Sequence, residues 1–176
     1  MIKEIYENDL GIMEGTFYSE LFGYDIQVRY AKNIPLEYIE KNIQHFNNLE
    51  SEFVINICDA LKRYYEFYKA EYPDLCEECE ETQGNVLKDF EEDSSSILRY
   101  VHIGTYKFDE YDIGNEDIPV LNLRGDCAWS GDKGVTIVAK NNQLLYVGTW
   151  KELNVWDDRE ETRLERMFNY AKPKEI

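Results

Sequence analysis

The stretch SEFVINICDALKRYYEFYKAE, residues 51–71, carries the strongest periodic signal in the chain and decides the fold. Its apolar and aromatic side chains recur at helical spacing, a stripe that continues to Tyr72: Phe53, Val54, Ile57, Leu61, Tyr64, Tyr65, Tyr68 and Tyr72. Such spacing places these residues on one helix face, away from most of the charged positions. We therefore predict a core helix from about Ser51 to Glu71 that packs on a sheet and ends before Pro73. A tyrosine stripe that recognises a ligand is the alternative.

A hairpin and a shorter helix are predicted before this core helix. The segments GTFYSELFG and YDIQVRYA, residues 15–31, read as strands that flank a turn at Gly23. The run Asn33-Ile34-Pro35 signals a helix start, because proline is tolerated in a first turn. An apolar stripe then follows at spacings of three and four, formed by Leu36, Ile39, Ile43 and Phe46.

Strand-like segments follow from Ile97 onward, and the last two predict the clearest hairpin. Asn141-Asn142 suits its two-residue turn, because asparagine tolerates the positive φ angles of a type I′ turn. The register that follows pairs Ala139 with Leu144, Ile137 with Tyr146, and Val135 with Gly148. Both faces of this hairpin are apolar, so we expect it to be covered on both sides or to lie near the sheet centre.

The chain is predicted to finish with a helix. Asp158 and Glu161 have the spacing of a capping box, and Pro173 stops the apolar pattern that follows. The order of strands, two helices, strands and helix predicts an α+β fold. In it, a largely antiparallel β-sheet packs against two central helices, with a C-terminal helix. A length of 176 residues fits a single domain, 1–176.

The composition restricts the setting. The start MIKEIYENDL places charges where a signal peptide needs an apolar stretch, and no run approaches the roughly 18 apolar residues of a membrane span. These observations predict a cytoplasmic protein with no membrane partner. The oligomeric state is left open.

Negative charge is concentrated in two stretches of a chain whose net charge is −17. Residues 71–93 hold ten acids against the single base Lys88, and residues 108–117 hold five acids and no base. Focused anionic patches attract basic partners, speed encounter with them and repel nucleic acid. Residues 73–96, which overlap most of the first stretch, are expected to form an acidic, mobile excursion within the domain, in which Asn85 to Glu91 suits a short helix.

The candidate partner-binding residues come from these stretches and from one tryptophan. The predicted contact surface consists of Glu77, Glu78, Glu80, Glu81, Asp109, Glu110, Asp112, Glu116, Asp117 and Trp129. Trp129 also has a plainer interpretation, in which it anchors the last hairpin in the core. The acids of the second stretch resemble the oxygen supply of a calcium loop, but their spacing does not match one.

The thiols and histidines offer weaker chemistry. Cys76 and Cys79 form a CxxC pair, but no second ligand pair completes a zinc site, and the neighbouring glutamates oppose thiolate formation. A triad of His102, Cys127 and Asp126 can be drawn, although nothing in the sequence brings the three together. We predict no cofactor, no metal and no catalytic residue.

The segment DCAWSGDKGVTIVAKNNQLLYVG, residues 126–148, resembles the closing motif of a bacterial family of unknown function. That family occurs among immunity proteins of polymorphic toxin systems. The residues that match its outline are Cys127, Trp129, Asp132, Gly134, Val147 and Gly148. A Glu-His pair usually precedes the glycine in such families, whereas Asp132-Lys133 stands here, which weakens any role in metal or acid–base chemistry.

Three functional hypotheses result. The first is a non-enzymatic protein-binding module, immunity-like, that neutralises a basic toxin domain by electrostatic complementarity. The second is a small metal- or thiol-dependent enzyme that uses Cys76 and Cys79, or Cys127 and His102. The third is a regulatory interaction module unrelated to toxins.

Overall fold

The computed structural model of the chain describes residues 1–108, 110–115, 117–156 and 169–173. Its strands are β1 (Lys3–Glu7), β2 (Ile12–Ser19), β3 (Tyr24–Ala31), β4 (Val101–Lys107), β5 (Val120–Cys127), β6 (Val135–Lys140) and β7 (Gln143–Gly148). Its α-helices are α1 (Leu36–Phe46), α2 (Ser51–Glu71), α3 (Pro73–Gln83) and α4 (Val86–Glu92). Short 3₁₀ segments cover Ser94–Tyr100, Glu110–Asp112 and Gly131–Lys133. The predicted α+β class is confirmed.

The seven strands form one sheet in which spatial order follows chain order, β1 to β7. Neighbouring strands are antiparallel except for β3 and β4, which are parallel. The exception has a simple cause, because all four α-helices lie between these two strands in sequence and form a long crossover. The prediction of a largely antiparallel sheet is therefore confirmed.

Helices α1 and α2 begin and end where the sequence predicts. Helix α1 buries Ile39, Ile43 and Phe46, and the ring of Phe46 meets those of Phe17 and Tyr106 edge-on. Helix α2 buries its own stripe and touches the 3₁₀ segment before β4, the strand β7 and α3. The sequence predicts two central helices between the strands, whereas the crossover from β3 to β4 also contains α3 and α4. The predicted C-terminal helix lies mostly on residues 157–168, outside the described residues.

The β6–β7 hairpin has the predicted turn but a different register. Asn141 and Asn142 have φ angles of 50° and 58°, as a type I′ turn requires. Ala139 pairs with Leu144 as predicted, but a β-bulge then shifts the ladder by one residue. The two remaining predicted pairs are therefore wrong, and the observed ones are Ile137–Val147, Val138–Tyr146 and Thr136–Gly148.

The hairpin is covered on both faces, although it lies at the edge of the described sheet. One face joins the main core beneath α2, while Val138 and Tyr146 on the other face pack with Leu153. The outer edge of β7 is occupied by residues near the C-terminus. The backbone N–H of Tyr170 donates to the Val147 carbonyl at 2.8 Å, and the Asn169 side chain bonds the backbone of Leu145 and Val147.

Residues 73–96, predicted as an excursion, contain regular structure throughout most of their length. Pro73 occupies the first turn of α3, where its missing N–H costs nothing. Cys76 and Cys79 are one turn apart and face inward, so the thiols provide the buried side of the helix. Asn85 caps α4 by accepting from the Lys88 N–H at 3.0 Å. No helix in the described part of the chain is long and apolar enough to cross a bilayer.

Candidate partner-binding surface

Helix α3 carries negative charge on its outer side. Asp74, Glu77, Glu78 and Glu81 are all exposed, and their spacing of three and four residues places them on one helix face. We call these four residues the acidic face. No ion pair joins any of them to a cation within the described ranges. Their charge is therefore presented to solvent without local neutralisation.

The acids of the same region that point inward are neutralised. Glu80 accepts hydrogen bonds from Lys69 Nζ at 2.6 Å and from the Tyr65 hydroxyl at 2.5 Å. The bond from Lys69, followed by that from Tyr65, lowers the pKa of Glu80. Asp89 is likewise bound by Arg99 and by the Tyr100 hydroxyl. Glu80, which the sequence analysis placed on the contact surface, is thus a partly buried structural residue.

An aromatic groove lies beside the N-terminal end of α3. This cavity of about 330 Å³ runs between the end of α2 and the 3₁₀ segment Gly131–Lys133, and its lining includes Phe67, Tyr68, Tyr72, Leu75 and Asp132. Tyr72 and Leu75 are 52% and 36% exposed, high values for large apolar side chains. They immediately flank the first residues of α3, so an apolar cavity adjoins the acidic face. The tyrosine stripe predicts one wall of this groove, but the other wall is about 60 residues away in the chain and only the fold brings it there.

The second acidic stretch does not extend this surface. Glu110 and Asp117 are exposed, but Asp112 is buried and accepts a hydrogen bond from Trp156 Nε1 at 2.7 Å. Asp109 and Glu116 lie outside the described residues. The stretch follows the end of β4, whereas α3 and α4 approach its beginning at Tyr100, and a seven-residue strand separates the two by about 20 Å. The predicted contact residues therefore lie in two separate regions, as their two stretches in the sequence suggest, and Asp112 is not exposed in either.

Trp129, which was predicted for the contact surface, is a core residue and is not exposed. Its side chain is fully buried. Its ring lies edge-on against the rings of Tyr64 and Tyr65, with centroid distances of 6.0 Å and 5.5 Å. The interpretation in which this residue anchors the hairpin is the one the structure supports. The same contacts place Tyr64 and Tyr65 in the core.

The thiols are buried and held in their neutral form. Burial is the main cause that raises the pKa of Cys76 to about 11, and it also raises the pKa of Cys79. Cys127 and Cys58 are buried as well, and burial raises the pKa of each to about 12. Thiolates are the reactive and metal-binding form, so these sites favour packing over chemistry. In the described ranges, no group of three or more His, Cys, Asp or Glu side chains could hold a metal ion.

The drawn triad does not assemble. His102 pairs with Asp126 across the β4–β5 ladder, whereas Cys127 pairs with Val101. Adjacent residues of a strand face opposite sides of the sheet, so the imidazole and the thiol point apart. The ring of His102 instead stacks on that of Tyr24, with centroids 4.8 Å apart. Cys127 lies within hydrogen-bond distance of Ser130 Oγ, at 3.0 Å, in the buried turn before β6.

Comparison with known families assigns the chain to a family whose function is unknown. The sequence profile of a family described as a domain of unknown function, DUF6985, matches residues 1–154, and the chain belongs to that family. No curated protein and no solved structure matches the chain significantly. What the molecule does must therefore be argued from its surfaces.

Proposed function

We propose that this protein is a non-enzymatic binding module whose acidic face and aromatic groove receive a basic segment of another protein. The observation that carries the proposal is the sorting of carboxylates on and around α3. Glu80 and Asp89, which point inward, have cationic partners, while Asp74, Glu77, Glu78 and Glu81 have none among the described residues. Paired inward carboxylates support the fold, whereas exposed carboxylates without a cation only repel one another along the helix.

The arrangement supports binding in two steps. Uncompensated carboxylates on one helix face attract a positively charged surface and orient it during encounter. The groove beside them then offers exposed aromatic area at Tyr72, together with Leu75, for a buried contact at the centre of the interface. A lysine or arginine side chain fits such a place, because its aliphatic stem packs on aromatic rings while its charged end stays near carboxylates.

The partner we propose is a toxin domain that this chain neutralises. This step rests on the resemblance carried by residues 126–148, and the acidic face supplies the complementary charge that blocking a basic domain requires. A regulatory module unrelated to toxins would use the same surface in the same way. The two uses differ only in whether the bound partner loses an activity.

The site can be mapped with a defined probe. A synthetic peptide of alternating Lys, Arg and Leu residues, titrated into ¹⁵N-labelled protein, should shift the amide signals of α3 and of Tyr72 and Leu75. A peptide with every base replaced by Glu is the control and should shift none of them. Signals that move mainly around Glu110 and Asp117, or evenly over the surface, would contradict the proposal.

A further inference from the structure

A second groove, on the sheet face opposite α1 and α2, gathers positive charge. This cavity of about 360 Å³ is lined by cations from three adjacent strands, Arg29 on β3, Lys107 on β4 and Arg124 on β5. Arg29 lies directly beside Lys107 in the parallel ladder, and Arg124 lies opposite Thr105 of β4. Three convergent cations are unexpected in a chain whose net charge is −17. We call this cavity the basic groove.

A carboxylate of the protein already occupies one end of the basic groove. Glu152 accepts hydrogen bonds from both terminal nitrogens of Arg124, the one from Nη2 at 3.0 Å, and from Lys107 Nζ at 2.8 Å. The Arg124 side chain is only 10% exposed, and its Nε has no hydrogen-bond partner among the residues that the structure describes. The nearly buried guanidinium is therefore arranged around an anion and has donor capacity left over.

Arg29, at the other end of the basic groove, has fewer contacts with carboxylates than Arg124 has. Its Nε lies 3.1 Å from Glu14 Oε1 but, like the Nε of Arg124, has no aligned hydrogen-bond partner among the described residues. The Arg29 side chain is 39% exposed and borders the groove, so its guanidinium is only partly engaged by Glu14. Glu14 is shared, because it also accepts from Tyr6, Asn8 and Gln27. A free pair of guanidinium nitrogens is the group that binds a carboxylate in a bidentate manner.

The remaining lining is mostly apolar, with hydroxyl groups only on Tyr30 and Thr105. Trp150 is 53% exposed, and its ring lies 5.4 Å from the guanidinium carbon of Arg124. Ile12, Ala31 and Phe108 complete the apolar wall. Small-molecule sites have this composition, with mostly apolar walls, a few convergent polar groups and a volume of roughly 300–1,000 Å³.

We infer that the basic groove binds a small molecule that carries a carboxylate on a flat apolar body, with its carboxylate on Arg29 and its body against Trp150. Glu152 pairs with Lys107 and Arg124 at the opposite end, so its carboxylate reduces the positive charge that the groove offers to such a ligand. This site shares no residue with the acidic face or the aromatic groove, so it stands or falls independently of the proposed function.

The test uses benzoate as the probe and benzamide as its neutral analogue. Titrated into the full-length protein at pH 7 and followed by calorimetry and ¹⁵N spectra, benzoate should bind about tenfold more tightly than benzamide, because a charged bidentate contact is worth about 1.4 kcal/mol or more. The Arg29→Gln variant should lose that difference. Arg99→Gln, an exposed arginine outside the groove, is the matched control and should keep it.

A third variant separates a ligand site from a structural ion pair. Glu152→Gln should bind benzoate several-fold more tightly than the native protein, because a negative charge is removed from the groove and Lys107 and Arg124 lose their carboxylate partner. Benzoate should also raise its melting temperature more than that of the native protein. Equal binding of benzoate and benzamide, or full retention of benzoate binding in Arg29→Gln, would overturn the inference. The Arg29→Gln comparison decides the matter if Glu152→Gln does not fold.

Discussion

The acidic face of α3 and the basic groove on the far side of the sheet handle charge in opposite ways. On α3, four exposed carboxylates stand without a described cationic partner. In the basic groove, each arginine or lysine contacts a carboxylate of the same chain, Glu14 or Glu152. The groove can therefore be explained partly by folding, whereas the acidic face cannot. The carboxylates of the acidic face are therefore outside the ion pairs that support the fold.

Elementary helix electrostatics support that interpretation. Like charges three and four residues apart destabilise a helix by a few tenths of a kcal/mol per pair, and the acidic face contains several such pairs. Glu81 also lies in the last turn, where the negative end of the helix dipole repels a carboxylate. No basic residue is present in that turn to offset it.

The largest expected effect on stability comes from replacing the buried Trp129, compared with the half-exposed Trp150. Trp129→Ala should lower the free energy of unfolding by about 3–5 kcal/mol, since a fully buried indole is replaced by a cavity. Trp150→Ala, which removes the half-exposed indole of the basic groove, should cost less than about 1 kcal/mol. Urea unfolding measures both. Similar values for the two variants would mean that Trp129 is not the core anchor described here.

The basic groove should make stability depend on acid pH. The hydrogen bond from Arg124, followed by that from Lys107, lowers the pKa of Glu152 from 4.5 to about 2. A depressed folded-state pKa contributes stability that is present above the unfolded value and is lost as the pH falls toward 2. Glu152→Gln should lower stability at pH 7 by about 1 kcal/mol, a modest value because the side chain is 60% exposed and water screens the pair.

The same variant should also lose less stability than the native protein between pH 4.5 and pH 2, the interval in which Glu152 becomes protonated. Chemical denaturation at a series of pH values tests this directly. Parallel curves for the two proteins would show that Glu152 is not held by the cations of the groove.

Substitutions on the acidic face should have the smallest effect on stability, and one of them should be stabilising. Glu81→Lys should raise the free energy of unfolding by about 0.3–1 kcal/mol, because a cation in the last turn of α3 suits the helix dipole. Asp74→Lys in the first turn is the matched control and should lower it by a similar amount. If Glu81→Lys were destabilising, the carboxylate would be serving the fold after all.

Periodic apolar patterns predicted much of the fold. The limits of α1 and α2 and the turn at Asn141-Asn142 all follow from spacing and local backbone preference. The ladder beyond that turn was misread, because a bulge at Leu145 leaves no mark in an apolar sequence. The parallel pairing of β3 and β4 depends on where the crossover returns, which no local pattern records.

Helix α3 lies in the stretch for which the charge pattern predicts a mobile excursion. Its acids suggested a solvated excursion, but Pro73 in the first turn and two cysteines one turn apart were helix signals already present in the sequence. The basic groove left no comparable signal. Arg29, Lys107 and Arg124 are isolated residues of separate strands, and only the pairing of those strands brings them together.

The most direct test of a contact surface on α3 is the salt dependence of association with the basic peptide. The triple variant Glu77→Lys, Glu78→Lys, Glu81→Lys should be compared with Asp9→Lys, Asp25→Lys, Glu40→Lys, which changes the net charge equally at exposed positions elsewhere. Stopped-flow measurements should show the first variant associating about tenfold or more slowly than the native protein, with a nearly flat dependence on ionic strength. The control should keep most of both. Equal losses in the two variants would show that only net charge matters, and would contradict a contact surface on α3.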